Sequence, residues 1–198
     1  MRTIFSYDSP IWKFMGRLID FLVLTLLWFV TSLPIITIGT ATTTVYYITL
    51  KMTEDQEEYL IRMYFKNFAK LFAQTTKVWL MVLAVGAVLC GDFYICMRIR
   101  TPVTTMFMAA FFLITVVFLM TTAYLFPVMA WLDGNIATYL KAAFYLSIKY
   151  LGWTILILVI AVCLIALGVF VFWPLLLIAV GLTAYLQSLI FRQIFNRQ

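Results

Sequence analysis

The side chains with which this chain could do chemistry fall into four sets. Asp8, Asp20, Asp92 and Asp133 could act as acids and bases. Catalytic proton transfer needs groups that converge on one substrate, and these four stand at the edges of different apolar stretches, so no carboxylate pair is expected. Cys90, Cys96 and Cys163 could ligate a metal or pair with one another. Without a C-x-x-C and without any histidine, they read as packing residues of apolar helices. Thr40, Thr43, Thr44, Tyr46 and Tyr47 put hydroxyls into an otherwise apolar stretch and could line a path for a polar solute. The same hydroxyls can bond the carbonyl one turn back, and small residues let helices approach closely in lipid; this structural role is the preferred one. Arg62, Lys66 and Lys70 recur at spacing four and could hold anionic groups. No G-x-S-x-G, phosphate-cradling glycine loop or H-E-x-x-H occurs, so neither an enzyme nor a cofactor or metal is expected.

The elements that must position these groups are set by composition. Of the 198 residues, 65% are hydrophobic and 11% charged, against roughly half and a quarter in soluble domains. Uncharged runs recur at 21–50, 78–91, 101–132 and 150–190. The chain therefore reads as an all-α, polytopic membrane protein of one domain, with an uncleaved first span. The net charge of +6 does not suggest a nucleic-acid partner, because the basic residues stand at the ends of apolar runs, where membrane topology places them.

The run 21–50 decides the topology. As one straight helix it would rise about 45 Å, well beyond the roughly 30 Å of hydrocarbon. Pro34 lacks a backbone donor and Gly39 tolerates turn dihedrals, so a turn is expected over 34–39, followed by a short return helix over 40–52. With this return the chain makes six crossings with both termini cytoplasmic, and all of the 14 basic residues except Arg98 and Arg100 lie inside. Without it the basic residues divide evenly between the two sides, so the return is preferred.

Three amphipathic pieces accompany the spans. The lead begins at Asp8-Ser9-Pro10, a helix-start signal, and runs into a first span over 18–33, where Asp20 is placed at headgroup level near Arg17. Thr53-Glu54-Asp55-Gln56 fits a capping box and Glu58 can pair with Arg62. The helix over 58–72 then carries the cationic stripe beside an aromatic face that includes Tyr64, Phe68 and Phe72. It is expected to lie on the cytoplasmic leaflet, with Arg62, Lys66, Phe68, Lys70 and Phe72 as lipid or partner contacts. Asn135 is expected to cap a third piece over 136–149. The remaining spans are expected over 78–96, 103–126, 150–168 and from Pro174 to about 190, with Pro127 marking the end of the fourth. Thr43-Thr44-Val45-Tyr46 and Thr121-Thr122-Ala123-Tyr124 each lead through an amphipathic piece to a tryptophan-bearing span, Trp79 or Trp153. This is either a 3+3 internal repeat or chance likeness between apolar helices.

Three blocks, YDSPIWKFMGRLID, LPIITIGTATTTVYYITLK with YFKNFAKLF after it, and FPVMAWLDGNIATYLKAAFYLSIKY, resemble the YesL-like family of bacterial integral membrane proteins, a domain of unknown function. They cover most of residues 5–155. The third block departs from the pattern at Trp131-Leu132-Asp133-Gly134, where relatives commonly carry a basic or aromatic residue. The resemblance implies company with carbohydrate ABC importers. The expected function is a non-enzymatic accessory subunit in the bacterial cell membrane. It would pack on the sugar permease or on a second copy of itself, using the lead, the 58–72 helix and the small-residue face with Pro34, Gly39, Thr40, Thr43, Thr44 and Tyr46. The alternative is a small stand-alone transporter for a sugar or related solute.

Overall fold

The computed structural model describes residues 10–52, 59–98, 102–156, 159–160, 163 and 176–195, and among these the chain is helical with no strand. The elements are α1 (Pro10–Thr31), a single 3-10 turn (Ile35–Thr37), α2 (Ile38–Met52), α3 (Leu60–Arg98), α4 (Pro102–Trp131), α5 (Ile136–Lys149) and α6 (Leu176–Phe195). Two of them contain stretches long and apolar enough to cross a bilayer, Leu60–Cys96 and Met108–Trp131. Only 6% and 17% of their most apolar windows is buried. Their side chains thus face outward, opposite to the core helix of a soluble protein.

The described part of α1 begins at Pro10, a residue type that a first helical turn tolerates. It ends at Thr31, whose hydroxyl turns back to the Leu27 carbonyl at 2.8 Å. Pro34 then adopts an extended conformation (φ −76°, ψ 121°) and opens the 3-10 turn. The expected reversal is therefore present but tighter. Gly39, expected as a turn residue, is helical and buried in the first turn of α2.

α2 is the hub, packing against α1, α3, α4 and α6. It returns antiparallel to α1: the Trp28 indole N–H donates to Thr42 Oγ1 at 3.1 Å, and Leu24 shares a cluster with Val45 and Ile48. Its 15 residues rise about 22 Å, short of a bilayer's hydrocarbon.

The largest departure from expectation is α3. The amphipathic stretch and the following span form one helix of 39 residues, about 58 Å long, without a break. The stretch does not fold away along a membrane surface as a separate element, because its inner face is taken by the protein. Met63, Tyr64, Asn67 and Thr75 are buried, most of them against α2. Past Val78, no described residue of α3 is buried. The core therefore gathers around the first half of α3, and the second half runs on beside α4 with most of its apolar surface open.

α4 likewise continues through Pro127 to Trp131. An internal proline removes one helix hydrogen bond, at a cost of about 3 kcal/mol in an exposed helix. Burial of Leu125, Phe126, Val128 and Met129 around it supplies the packing that keeps the helix in place. α5 has the expected bounds, but Asn135 does not cap it through its side chain; its carbonyl accepts the Thr138 and Tyr139 amides instead. Asp8, Ser9, the capping box at 53–56, Glu58, Thr101 and Trp173-Pro174 lie outside the described residues.

Candidate functional site

The hydroxyls singled out in the sequence converge on one seam around α2. Thr40 Oγ1 lies 2.7 Å from Thr75 Oγ1 and 3.1 Å from Thr76 Oγ1, joining α2 to α3. Thr43, Thr44 and Thr49 each donate to the carbonyl four residues back, at 2.9, 2.8 and 3.0 Å. Threonine there satisfies its own hydroxyl and offers the neighbouring helix only a methyl and a short stem, which is how it packs closely in a low-dielectric core. The Tyr46 hydroxyl donates to Gln187 Oε1 on α6. Tyr47 is half-buried, its ring under the Lys51 ammonium at 5.2 Å.

Gly39 explains how α2 and α3 come together. A Cβ there would stand 2.5 Å from Trp79 Cβ and 2.9 Å from Trp79 Cγ. The Trp79 indole in turn donates to the Ile35 carbonyl at 2.8 Å, locking the turn that Pro34 opens. Pro34 itself is exposed.

Several members of the seam were not expected there from the sequence. Tyr64, fully buried, bonds Thr31 across α1 and α3 (2.7 Å). Thr154 donates to the Tyr124 hydroxyl at 3.2 Å. Thr25 accepts from the Gly181 amide at 3.0 Å, tying α1 to α6. Phe191 stands edge-on between Tyr46 and Tyr124, at centroid distances of 6.1 and 5.1 Å. A tyrosine or threonine inside an apolar run looks the same whether it faces a partner helix or lipid, so only contacts reveal the pairing. Thr75→Val is expected to cost about 1 kcal/mol, because it leaves Thr40 with the longer bond to Thr76 alone. The measurement is the melting midpoint in detergent, with Thr75→Ser retaining the wild-type value; equal midpoints for the valine and serine variants would contradict the pairing.

The second group lies on the outer face of α3. Arg62, Lys66 and Lys70 are exposed, and Arg62 and Lys66 line a surface cavity of about 350 Å³ with Tyr59 and Met63. Phe68, half-buried, stacks on Tyr64 (6.1 Å, 17°), and the exposed Phe72 meets Phe68 at 5.9 Å. The aromatic face is thus a ladder at spacing four that starts in the core and ends at the surface.

Cations elsewhere sit over tyrosine rings: Arg17 over Tyr185, Arg98 over Tyr94, and Lys149 over both Tyr145 and Tyr150 at 5.3 Å. Desolvation works against the Lys149 ammonium, but the Tyr145 and Tyr150 phenols outweigh it through charge and hydrogen bonding, and its pKa lies above the ordinary lysine value. Amphipathic cation–tyrosine pairs of this kind suit the boundary between apolar and aqueous surroundings.

Asp20, Asp92 and Asp133 belong to α1, to α3 near its end and to the α4–α5 loop. No cluster of three or more histidine, cysteine or acidic side chains that could hold a metal occurs among the described residues. Cys90, Cys96 and Cys163 are free thiols, Cys90 and Cys163 exposed.

No curated protein and no solved structure matches the chain. Residues 21–93, which comprise the second half of α1, all of α2 and most of α3, match the family described as a protein of unknown function, DUF624.

Proposed function

We propose that the chain is a multi-pass bacterial cell-membrane protein of the YesL-like type, with both termini cytoplasmic, that serves as a non-enzymatic accessory subunit of a carbohydrate ABC importer. Its partner is the sugar permease, which it stabilises or modulates. The observation that carries this reading is the use made of the polar groups. The hydroxyls that a solute path would need are bonded to one another and to helix carbonyls, and Ser32 Oγ alone among the described buried side-chain atoms lacks a partner. A substrate site keeps polar groups free for its ligand; this seam spends them on helix packing. The open apolar faces of α3 and α4 supply area for lipid and for another membrane protein. The link to sugar import comes from the resemblance.

An even number of crossings, with the Lys-rich ends of α3 and α5 inside, agrees with the bias of basic residues. Two similarly oriented halves would account for Tyr46 and Tyr124 meeting the same Phe191 ring. The halves differ in one respect, since the amphipathic part of α3 runs directly into its span whereas α5 is closed off at Tyr150 (φ −114°, ψ 44°).

Mild extraction with the neighbouring permease is expected to yield a stable complex. The combined Arg62→Glu, Lys66→Glu and Lys70→Glu variant is expected to lose most of the co-extracted permease, because the reversed stripe repels anionic headgroups and acidic partner surfaces alike. Clean separation of the two proteins, with sugar uptake unaffected by deletion of this chain, would overturn the proposal. Sugar uptake by the purified protein alone in liposomes would favour a transporter.

A further inference from the structure

We propose that the α1–α2 hairpin is re-entrant: it enters the bilayer and leaves through the same face, with its tip at Leu33 to Ile36 immersed in the hydrocarbon of the leaflet nearest Lys77. This rests on the bilayer residence proposed above.

Depth is the first argument. The Ile35 carbonyl is bonded to the Trp79 indole, and Gly39 lies against Trp79 Cβ, so the tip stands beside Trp79. Trp79 is the midpoint of α3 and only two residues past the exposed Lys77, at the start of the apolar run 78–91. About 28 Å of α3 continues beyond it. From the tip, α2 descends along Thr75, Thr76 and Tyr64, the amphipathic half of α3, away from its apolar half.

The chemistry of the tip is the second argument. A turn in water can leave its carbonyls to solvent, whereas a turn in hydrocarbon must satisfy them internally. Here the Thr31 carbonyl accepts from Thr37 Oγ1, the Pro34 carbonyl from the Thr37 amide and hydroxyl, and the Ile35 carbonyl from Trp79. At the same tip Leu33, Ile35 and Ile36 are 70%, 66% and 53% exposed. These bonded carbonyls turned inward and aliphatic side chains turned outward form a surface that fits acyl chains, with Ser32 Oγ the one buried side-chain atom there without a partner among the described residues. The bias of basic residues is blind to this distinction, because 21–50 holds no charge and a re-entrant hairpin returns the chain to the same side as a crossing one. The hairpin then contributes no crossing.

The test uses the full chain with its three native cysteines changed to serine and one cysteine added, at Leu33→Cys or Ile36→Cys, with Lys66→Cys as the inside reference. In sealed vesicles of either orientation, a membrane-impermeant maleimide is expected to label both tip variants at least about tenfold less than Lys66→Cys, since a thiol in hydrocarbon does not ionise to the reactive thiolate. A bimane attached to the tip in detergent and then reconstituted is expected to be quenched by nitroxides on lipid acyl chains and not by aqueous iodide. Labelling of the tip from the side opposite Lys66→Cys would replace the re-entrant hairpin with a crossing one. Labelling from the Lys66 side, or iodide quenching, would put the tip in water. Release of the unmodified protein from membranes by alkaline carbonate would instead refute bilayer residence itself.

Discussion

Gly181→Ala is expected to lower stability markedly, because its added methyl meets the backbone of a neighbouring helix. The added Cβ would stand 2.6 Å from the Phe21 carbonyl oxygen, 2.9 Å from Phe21 Cα and 3.1 Å from its carbonyl carbon. All three are backbone atoms of α1 inside a helix, and no rotamer change can move them. α1 and α6 would have to separate, stretching the Gly181 amide to Thr25 bond and the contact between the Phe21 and Tyr185 rings at 5.1 Å. Overpacking of this kind costs about 1–3 kcal/mol and occasionally more, and the roughly 1 kcal/mol helix-propensity gain of alanine over glycine offsets part of it. The melting midpoint in detergent should fall by several degrees. Gly39→Ala should fall as well, because Trp79 Cβ at 2.5 Å is fixed by the α3 backbone and only Trp79 Cγ, at 2.9 Å, can move with χ1. Gly16→Ala and Gly152→Ala meet nothing within 4 Å and should be neutral or stabilising. A Gly181→Ala protein that melts with wild type would contradict the close α1–α6 approach.

Phe191→Ala should be the most damaging truncation, at about 3–5 kcal/mol. The ring is fully buried and is the shared partner of Tyr46 on α2 and Tyr124 on α4, both edge-to-face. Its removal leaves a cavity where three helices meet, and the loss is of dispersion contacts and ring geometry, which keep their value in a membrane protein where the hydrophobic drive between helices is weak. Tyr46→Phe keeps the ring and removes only the hydroxyl bond to Gln187, so it should cost about 1 kcal/mol. The check is the ratio between the two variants in the same melt. A Phe191→Ala effect no larger than that of Tyr46→Phe would mean that α2 and α4 do not depend on this ring.

The stops and starts were legible where a residue type forces the backbone. Pro34 ends the first run, a return helix follows it, and α5 spans Ile136–Lys149 as its amphipathic spacing requires. The failures came where the surroundings rather than the backbone change. Between Lys70 and Val78 the composition passes from amphipathic to apolar, and that shift suggested two helices. Nothing in Leu71 to Lys77 breaks a helix, so the backbone continues and only its environment differs. Pro127 misled in the opposite direction, because the packing around it outweighs the lost hydrogen bond.

The candidate site shows the same division. Thr40, Thr43, Thr44 and Tyr46 stand out in the sequence because hydroxyls interrupt an apolar run, and their spacing already allows each threonine to bond the carbonyl one turn back. Their cross-helix partners, Thr75 and Gln187, lie 35 and 141 residues away, and Gly181 is one small residue within a generic apolar helix. Sequence alone determined that the chain is helical and apolar enough for a bilayer, and that it reverses after Pro34, because composition and a missing amide act locally. Which residues the reversed hairpin packs against was decided only by tertiary structure. Trp79 and Gly39 bring distant helices into register, and an uncharged hairpin leaves the same charge pattern whether or not it crosses.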